Sequence, residues 1–309
     1  MKKTCISKGW SLHSPHYQGP IDLPNDYSVT APRDRNAPGG GDNGYFVGGT
    51  GRYHKELIVD ALSSHYILDM DGAYMCATVY CNGYALVNHP HGYAPILVDL
   101  TSYIRSGENN TLDIVTRGLQ PSSRWYSGSG IYRDVTLIVT DPVHVDLYGT
   151  KVTTPNISSG NGTVKVEVDV VNDGSSAASV TVTNTVYKKG SETALASANT
   201  TVTVSAGSTV TATASPTVSN PDLWSVENPN LYTVVTELTV GGEVVDTYET
   251  EFGFRWFGFA STGFSLNGVN VKLNGTKTID GTEATSLFTG HSTHPDRATE
   301  LGPFMVYGS

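Results

Sequence analysis

Residues 164–170 read Val164-Lys165-Val166-Glu167-Val168-Asp169-Val170. In an extended chain successive side chains point to opposite faces. This heptapeptide therefore puts four valines on one face and three charged groups on the other, the pattern of a half-buried strand. Working outward, Thr181-Val182-Thr183, Thr201-Val202-Thr203-Val204 and Tyr232-Thr233-Val234-Val235 repeat the period at short intervals. Thr209-Val210-Thr211-Ala212-Thr213-Ala214-Ser215 has the composition of a linker, but its alternation makes it a strand. Asn172-Asp173-Gly174 and Gly241-Gly242-Glu243 supply turns. Short alternating strands over about a hundred residues predict an immunoglobulin-like β-sandwich for 143–254. No cysteine lies in that span, so it has no inter-sheet disulfide.

Upstream, Leu57-Ile58-Val59, Ala77-Thr78-Val79-Tyr80, Leu112-Asp113-Ile114-Val115 and Val135-Thr136-Leu137-Ile138-Val139 also read as strands. Asn82-Gly83, Ser106-Gly107-Glu108-Asn109 and Asp141-Pro142 punctuate them. Residues 1–142 are expected to form a first sandwich of jelly-roll type. No segment carries apolar residues at helical spacing, so the fold class is all-β: a jelly-roll sandwich, an immunoglobulin-like sandwich, then a short irregular C-terminal tail. Residues 255–309 form the third region, in which little periodicity follows Gly275.

Composition removes several function classes. The chain has 309 residues and a formal net charge of −10, with no Lys/Arg-rich run to neutralise phosphates, so no nucleic acid partner is expected. No stretch approaches the ~18 consecutive apolar residues of a membrane-spanning helix. The N-terminus lacks the apolar run of a signal peptide, which points to a cytoplasmic location, or to an extracellular one if a signal has been removed. Cys5, Cys76 and Cys81 are too few and too oddly spaced for a disulfide framework. Read as sharing one strand, Cys76 and Cys81 face opposite sides of it and neither pair nor share a metal. His291, His294 and Asp296 are metal-ligand types, but Pro295 bars a helical His-x-x-x-His arrangement, and neither a metal nor another cofactor is expected.

Several segments, in order, resemble glycoside hydrolase family 2, the β-galactosidase family. They are Ile21-Asp22-Leu23-Pro24-Asn25-Asp26-Tyr27-Ser28-Val29, Gly48 to Lys55, Val79-Tyr80-Cys81-Asn82-Gly83 and His89 to Pro95. The most specific match is Ser122-Ser123-Arg124-Trp125-Tyr126-Ser127-Gly128-Ser129-Gly130-Ile131-Tyr132-Arg133-Asp134-Val135, and Leu223 to Tyr232 follows. The resemblance covers about 9–275. It implies that Asn82 reaches from the jelly roll toward a galactoside or other carbohydrate, its amide offering both donor and acceptor to sugar hydroxyls. It also implies that Arg124, Trp125 and Tyr126 border the substrate pocket and that Arg255 helps organise it. The residues by themselves allow plainer roles: Asn82 as the first residue of a type I′ turn, Arg124 to Tyr126 as inter-domain packing, and Arg255 as support for the edge of the second sandwich.

The family's reaction needs two carboxyl groups about 5 Å apart, and the resemblance places both on glutamates deep in a barrel of roughly 250 residues. Only 34 residues follow Gly275, and Thr276-Lys277-Thr278-Ile279-Asp280-Gly281 stands where the family carries a histidine pair. No catalytic residue is therefore assigned. A frameshift, recombination or premature stop near codon 276 would explain the abrupt change, with a naturally short protein that has its own tail as the alternative. The expectation is the non-catalytic front portion of a β-galactosidase-like hydrolase. The alternatives are a glycosidase that works only with a barrel from another chain, and a protein-interaction module that binds a partner or a second copy of itself through the surface the barrel would have covered.

Overall fold

The structure is a computed structural model that describes residues 1–59, 65–122, 126–158 and 160–272. It is nearly all β, with a single 3-10 turn at Gly40–Asn43 among the described residues. The chain divides into two compact units, Lys2–Thr140 and Asp141 onward. Among the described residues, no helix is long and apolar enough to cross a membrane.

The first unit stacks two antiparallel sheets. One has four strands: β1 (Lys2–Cys5), β10 (Val135–Thr140), β5 (His65–Met70) and β8 (Ile96–Asp99), in the order β1-β10-β5-β8. The other adds β2 (Trp10–Ser14), β3 (Tyr17–Ile21), β4 (Gly49–Ile58), β6 (Ala77–Cys81), β7 (Tyr84–His89) and β9 (Asn109–Gly118), in the order β3-β2-β4-β9-β6-β7. Strand β9 lies between β4 and β6, so Ile114 has Tyr53 on one side and Val79 on the other, all three fully buried. Trp10, Leu12, Leu68, Met70, Leu112 and Val135 fill the space between the sheets. Burying an aliphatic side chain of this kind stabilises by about 1.5–3 kcal/mol, so the inward alternation of a few strands holds the sandwich together. Cys76 lies just before β6, in a left-handed backbone conformation (φ 48°), and not on the strand with Cys81 as its spacing implied.

The second unit is also a two-sheet sandwich. Strands β11 (Val143–Ser158), β12 (Asn161–Asn172) and β15 (Ser208–Ala214) form one sheet, with β16 (Thr217–Ser219) beside β12. Strands β14 (Ala194–Val204), β13 (Ala178–Lys188), β17 (Tyr232–Val240) and β18 (Glu243–Phe252) form the other, in that order. Val164, Val166, Val168 and Val170 on β12 are completely buried in the same core as Val180, Val182, Val186, Val234 and Leu238. Threonine takes the outward positions, where β-branching suits the pleat and the hydroxyl meets water. Beyond β18, residues 257–270 form a small antiparallel sheet, β19 (Phe257–Ala260), β20 (Gly263–Leu266) and β21 (Val269–Asn270). Its Phe264 and Leu266 close over the buried ring of Trp224.

Candidate functional site

Asn82 and Gly83 form the turn between β6 and β7, with φ of 49° and 84°, the left-handed pair a two-residue hairpin requires. The side chain of Asn82 is spent within the unit. Its Nδ2 donates to Tyr103 O at 2.7 Å and to Asn110 Oδ1 at 2.8 Å, and its Oδ1 accepts from Thr111 N at 3.0 Å. Asn110 is fully buried and in turn holds the backbone of Arg105 and Glu108. Both Asn82 N–H protons are thus committed, and one lone pair of Oδ1 remains. Beside the turn stand Tyr84 and Tyr103, both exposed, with rings 5.4 Å apart and tilted by 45°. Sequence reasoning passed over these two rings, whose pairing brings the start of β7 against the loop between β8 and β9.

Of the second predicted group, Arg124 and Trp125 lie outside the described residues. Tyr126 is half-buried, and its Oη donates to Asp26 Oδ2 at 2.7 Å. The other carboxylate oxygen of Asp26 accepts from Ser28 N and Val29 N, so the carboxylate is fixed by its own loop. The ring of Tyr126 packs 4.4 Å from that of Phe46, over which the Arg33 guanidinium lies at 4.5 Å. Burial, followed by the adjacent Asp26 carboxylate, pushes the Tyr126 phenol well above its ordinary range, so it stays a neutral donor.

The glycines of this loop serve close approach. Gly130 (φ 120°) exchanges backbone hydrogen bonds with Tyr74, and a Cβ there would overlap Tyr53 Oη and come within 2.8 Å of Asn25 O. Tyr53 Oη itself donates to Asn25 Oδ1 at 2.8 Å and accepts from Ile131 N. Asp26 belongs to a segment the sequence had marked, and Phe46 and Arg33 carried no signal. Asp26 and Phe46 meet Tyr126, and Arg33 meets Phe46, only through the fold.

Arg255 belongs to the second unit, between β18 and β19. Its backbone O accepts from Thr154 Oγ1 at 2.9 Å, and its guanidinium lies over the Trp224 ring, 5.4 Å from the centroid. Burial pushes its pKa down. No group of three or more His, Cys, Asp or Glu placed to hold a metal occurs among the described residues, and His291, His294 and Asp296 fall outside them.

Family models agree with this two-sandwich layout. Residues 5–142 match the glycosyl hydrolases family 2 sugar binding domain, and residues 143–255 match the glycosyl hydrolases family 2 model that follows it. The chain belongs to glycosyl hydrolase family 2. It is 37% identical over 260 residues to beta-galactosidase BoGH2A of Bacteroides ovatus, covering 82% of this chain and 30% of that protein. A putative beta-glucuronidase of Formosa agariphila is 33% identical over 262 residues, covering 82% and 24%. Among solved structures, a family 2 member from Bacteroides cellulosilyticus superposes with a TM-score of 0.84 at 29% identity, covering 89% of this chain and 38% of that one. The chain therefore spans less than two-fifths of the length of each of these relatives.

Proposed function

We propose that this chain is a non-catalytic carbohydrate-binding and scaffolding portion of a family 2 hydrolase. The observation that carries this reading is the match of 5–142 to the family's sugar binding domain in a chain whose described residues form two sandwiches and no (β/α)8 barrel. The sugar-contact residues we assign are Asn82 with Tyr84 and Tyr103 at its turn, and, on the family resemblance alone, Arg124, Trp125 and Tyr126. Exposed tyrosine rings suit the apolar faces of pyranoses, and the remaining Asn82 Oδ1 lone pair suits a hydroxyl donor. Calorimetric titration of the full chain with galactose, lactose and glucuronic acid tests this. Saturable binding weakened in Tyr84→Ala supports it, and silence toward every sugar removes the binding half of the proposal.

A second reading follows from the alignment with 30% of a protein named a beta-galactosidase: the two domains contribute to hydrolysis once another chain supplies a barrel. Mixing this chain with a separately expressed family 2 barrel and assaying a chromogenic galactoside distinguishes the two. Self-association is the third reading. It rests on Phe257, Phe259 and Val269, which are half to three-quarters exposed on the small terminal sheet. Sizing chromatography reads it directly.

A further inference from the structure

The second unit pairs its cations with acids wherever the two meet. Lys165 and Lys151 share Glu167, Lys188 meets Asp222 at 2.7 Å, and Lys189 meets Glu251 at 2.8 Å. Arg255 departs from this. Among the described residues its guanidinium has the Trp224 ring beneath it and neither an ion pair nor a hydrogen-bond acceptor. That is anomalous in a chain with ten more acids than bases. A guanidinium carries five N–H donors, and withdrawing it from water without a partner is costly.

The group is not walled in. It borders a cleft of about 340 Å³ whose other walls include Thr153, Thr154, Pro155, Gly253, Trp256 and Phe257. Trp256 and Phe257 are 41% and 50% exposed. The cleft thus sets a flat cationic fork beside Thr153 and two partly exposed aromatic side chains, the Thr154 hydroxyl being already given to Arg255 O. Among the described residues no acid is placed against the fork, which leaves room for one brought by a ligand.

We propose that the Arg255 cleft binds a small organic carboxylate, the guanidinium engaging both oxygens and Trp256 with Phe257 covering the apolar body that carries them. Planar fork-to-carboxylate pairing is the geometry arginine supplies and lysine does not. Two carriers supply such a carboxylate, a uronic acid and an acidic side chain of a peptide. The site lies in a different unit from the tyrosines and Asn82, so it stands or falls separately from sugar binding by the jelly roll.

The test titrates the full chain with sodium glucuronate and with N-acetylglutamate, using sodium chloride at matched ionic strength and neutral glucose as controls and indole fluorescence as the readout. The expected result is saturable binding of at least one carboxylate, weakened about tenfold or more in Arg255→Gln and less in Arg255→Lys. Stronger binding of glucuronate than of N-acetylglutamate identifies a sugar acid as the ligand, and the reverse identifies a peptide. If Arg255→Gln does not fold, Trp256→Ala takes its place. Its indole is largely exposed, and losing it lowers affinity for the favoured carboxylate while leaving the fold intact. An equal response to chloride, no saturable carboxylate binding, or undiminished binding in both Arg255→Gln and Trp256→Ala overturns the proposal.

Discussion

Replacing Gly130 by alanine isolates how tightly the 126–131 loop is pressed against the first unit. The backbone there has φ 120°, a region an L side chain enters at a cost of about 1–3 kcal/mol. The new methyl group would also overlap Tyr53 Oη and press on Asn25 O. Tyr53 is fully buried and cannot swing aside, so its phenol would give up the bond to Asn25 Oδ1 and the one from Ile131 N. Two such bonds are worth about 2 kcal/mol together. The expected destabilisation is about 4 kcal/mol. For a unit of this size that lowers the melting temperature by about 15 °C.

Gly83→Ala is the matched control. Its φ of 84° carries a backbone cost of about 1–2 kcal/mol, but a Cβ there meets nothing within 4 Å. Urea unfolding followed by tyrosine and tryptophan fluorescence, with calorimetry on the same samples, gives both values. A loss below about 1 kcal/mol in Gly130→Ala, or one equal to that of Gly83→Ala, would refute the steric argument.

Further outcomes follow from the same contacts. Asn82→Gly keeps the left-handed turn but removes three side-chain hydrogen bonds, one to buried Asn110, and is expected to cost about 2–3 kcal/mol by urea midpoint. Unchanged stability would show that the amide does not hold the hairpin. The phenol of Tyr126 titrates higher folded than unfolded. Its stabilising contribution is therefore complete below about pH 10 and is lost as pH rises beyond it. Tyr126→Phe should flatten that alkaline decline, and an unaltered slope would place its origin elsewhere.

The fold was open to sequence reading where one face is apolar and the other wet. Val164 to Val170 and Thr209 to Ala214 show both sides of a half-buried strand, and both are strands. Strand β1 gave no such signal, because all four residues of Lys2–Cys5 are exposed and only main-chain pairing with β10 makes them a strand. The small sheet of 257–270 escaped notice for a related reason: its strands have two to four residues, and its aromatics do not alternate in and out.

The candidate surfaces divide the same way. Asn82-Gly83 announced a turn because left-handed backbone is a local property. The partners of the Asn82 amide, at Tyr103, Asn110 and Thr111, are 21 to 29 residues away and no spacing rule predicts them. Asp26 meets Tyr126 across 100 residues. That no acid among the described residues lies beside Arg255 is a property of space and could not be read along the chain.

The chain carries the family's sugar-binding and immunoglobulin-like domains, and the central proposal is that these domains by themselves do not perform hydrolysis. The most direct measurement is hydrolysis of chromogenic β-galactoside and β-glucuronide by the purified full chain alone, at high protein concentration and over long incubation. The account predicts release no faster than in buffer. Turnover that exceeds buffer, scales with protein and survives repurification would contradict it.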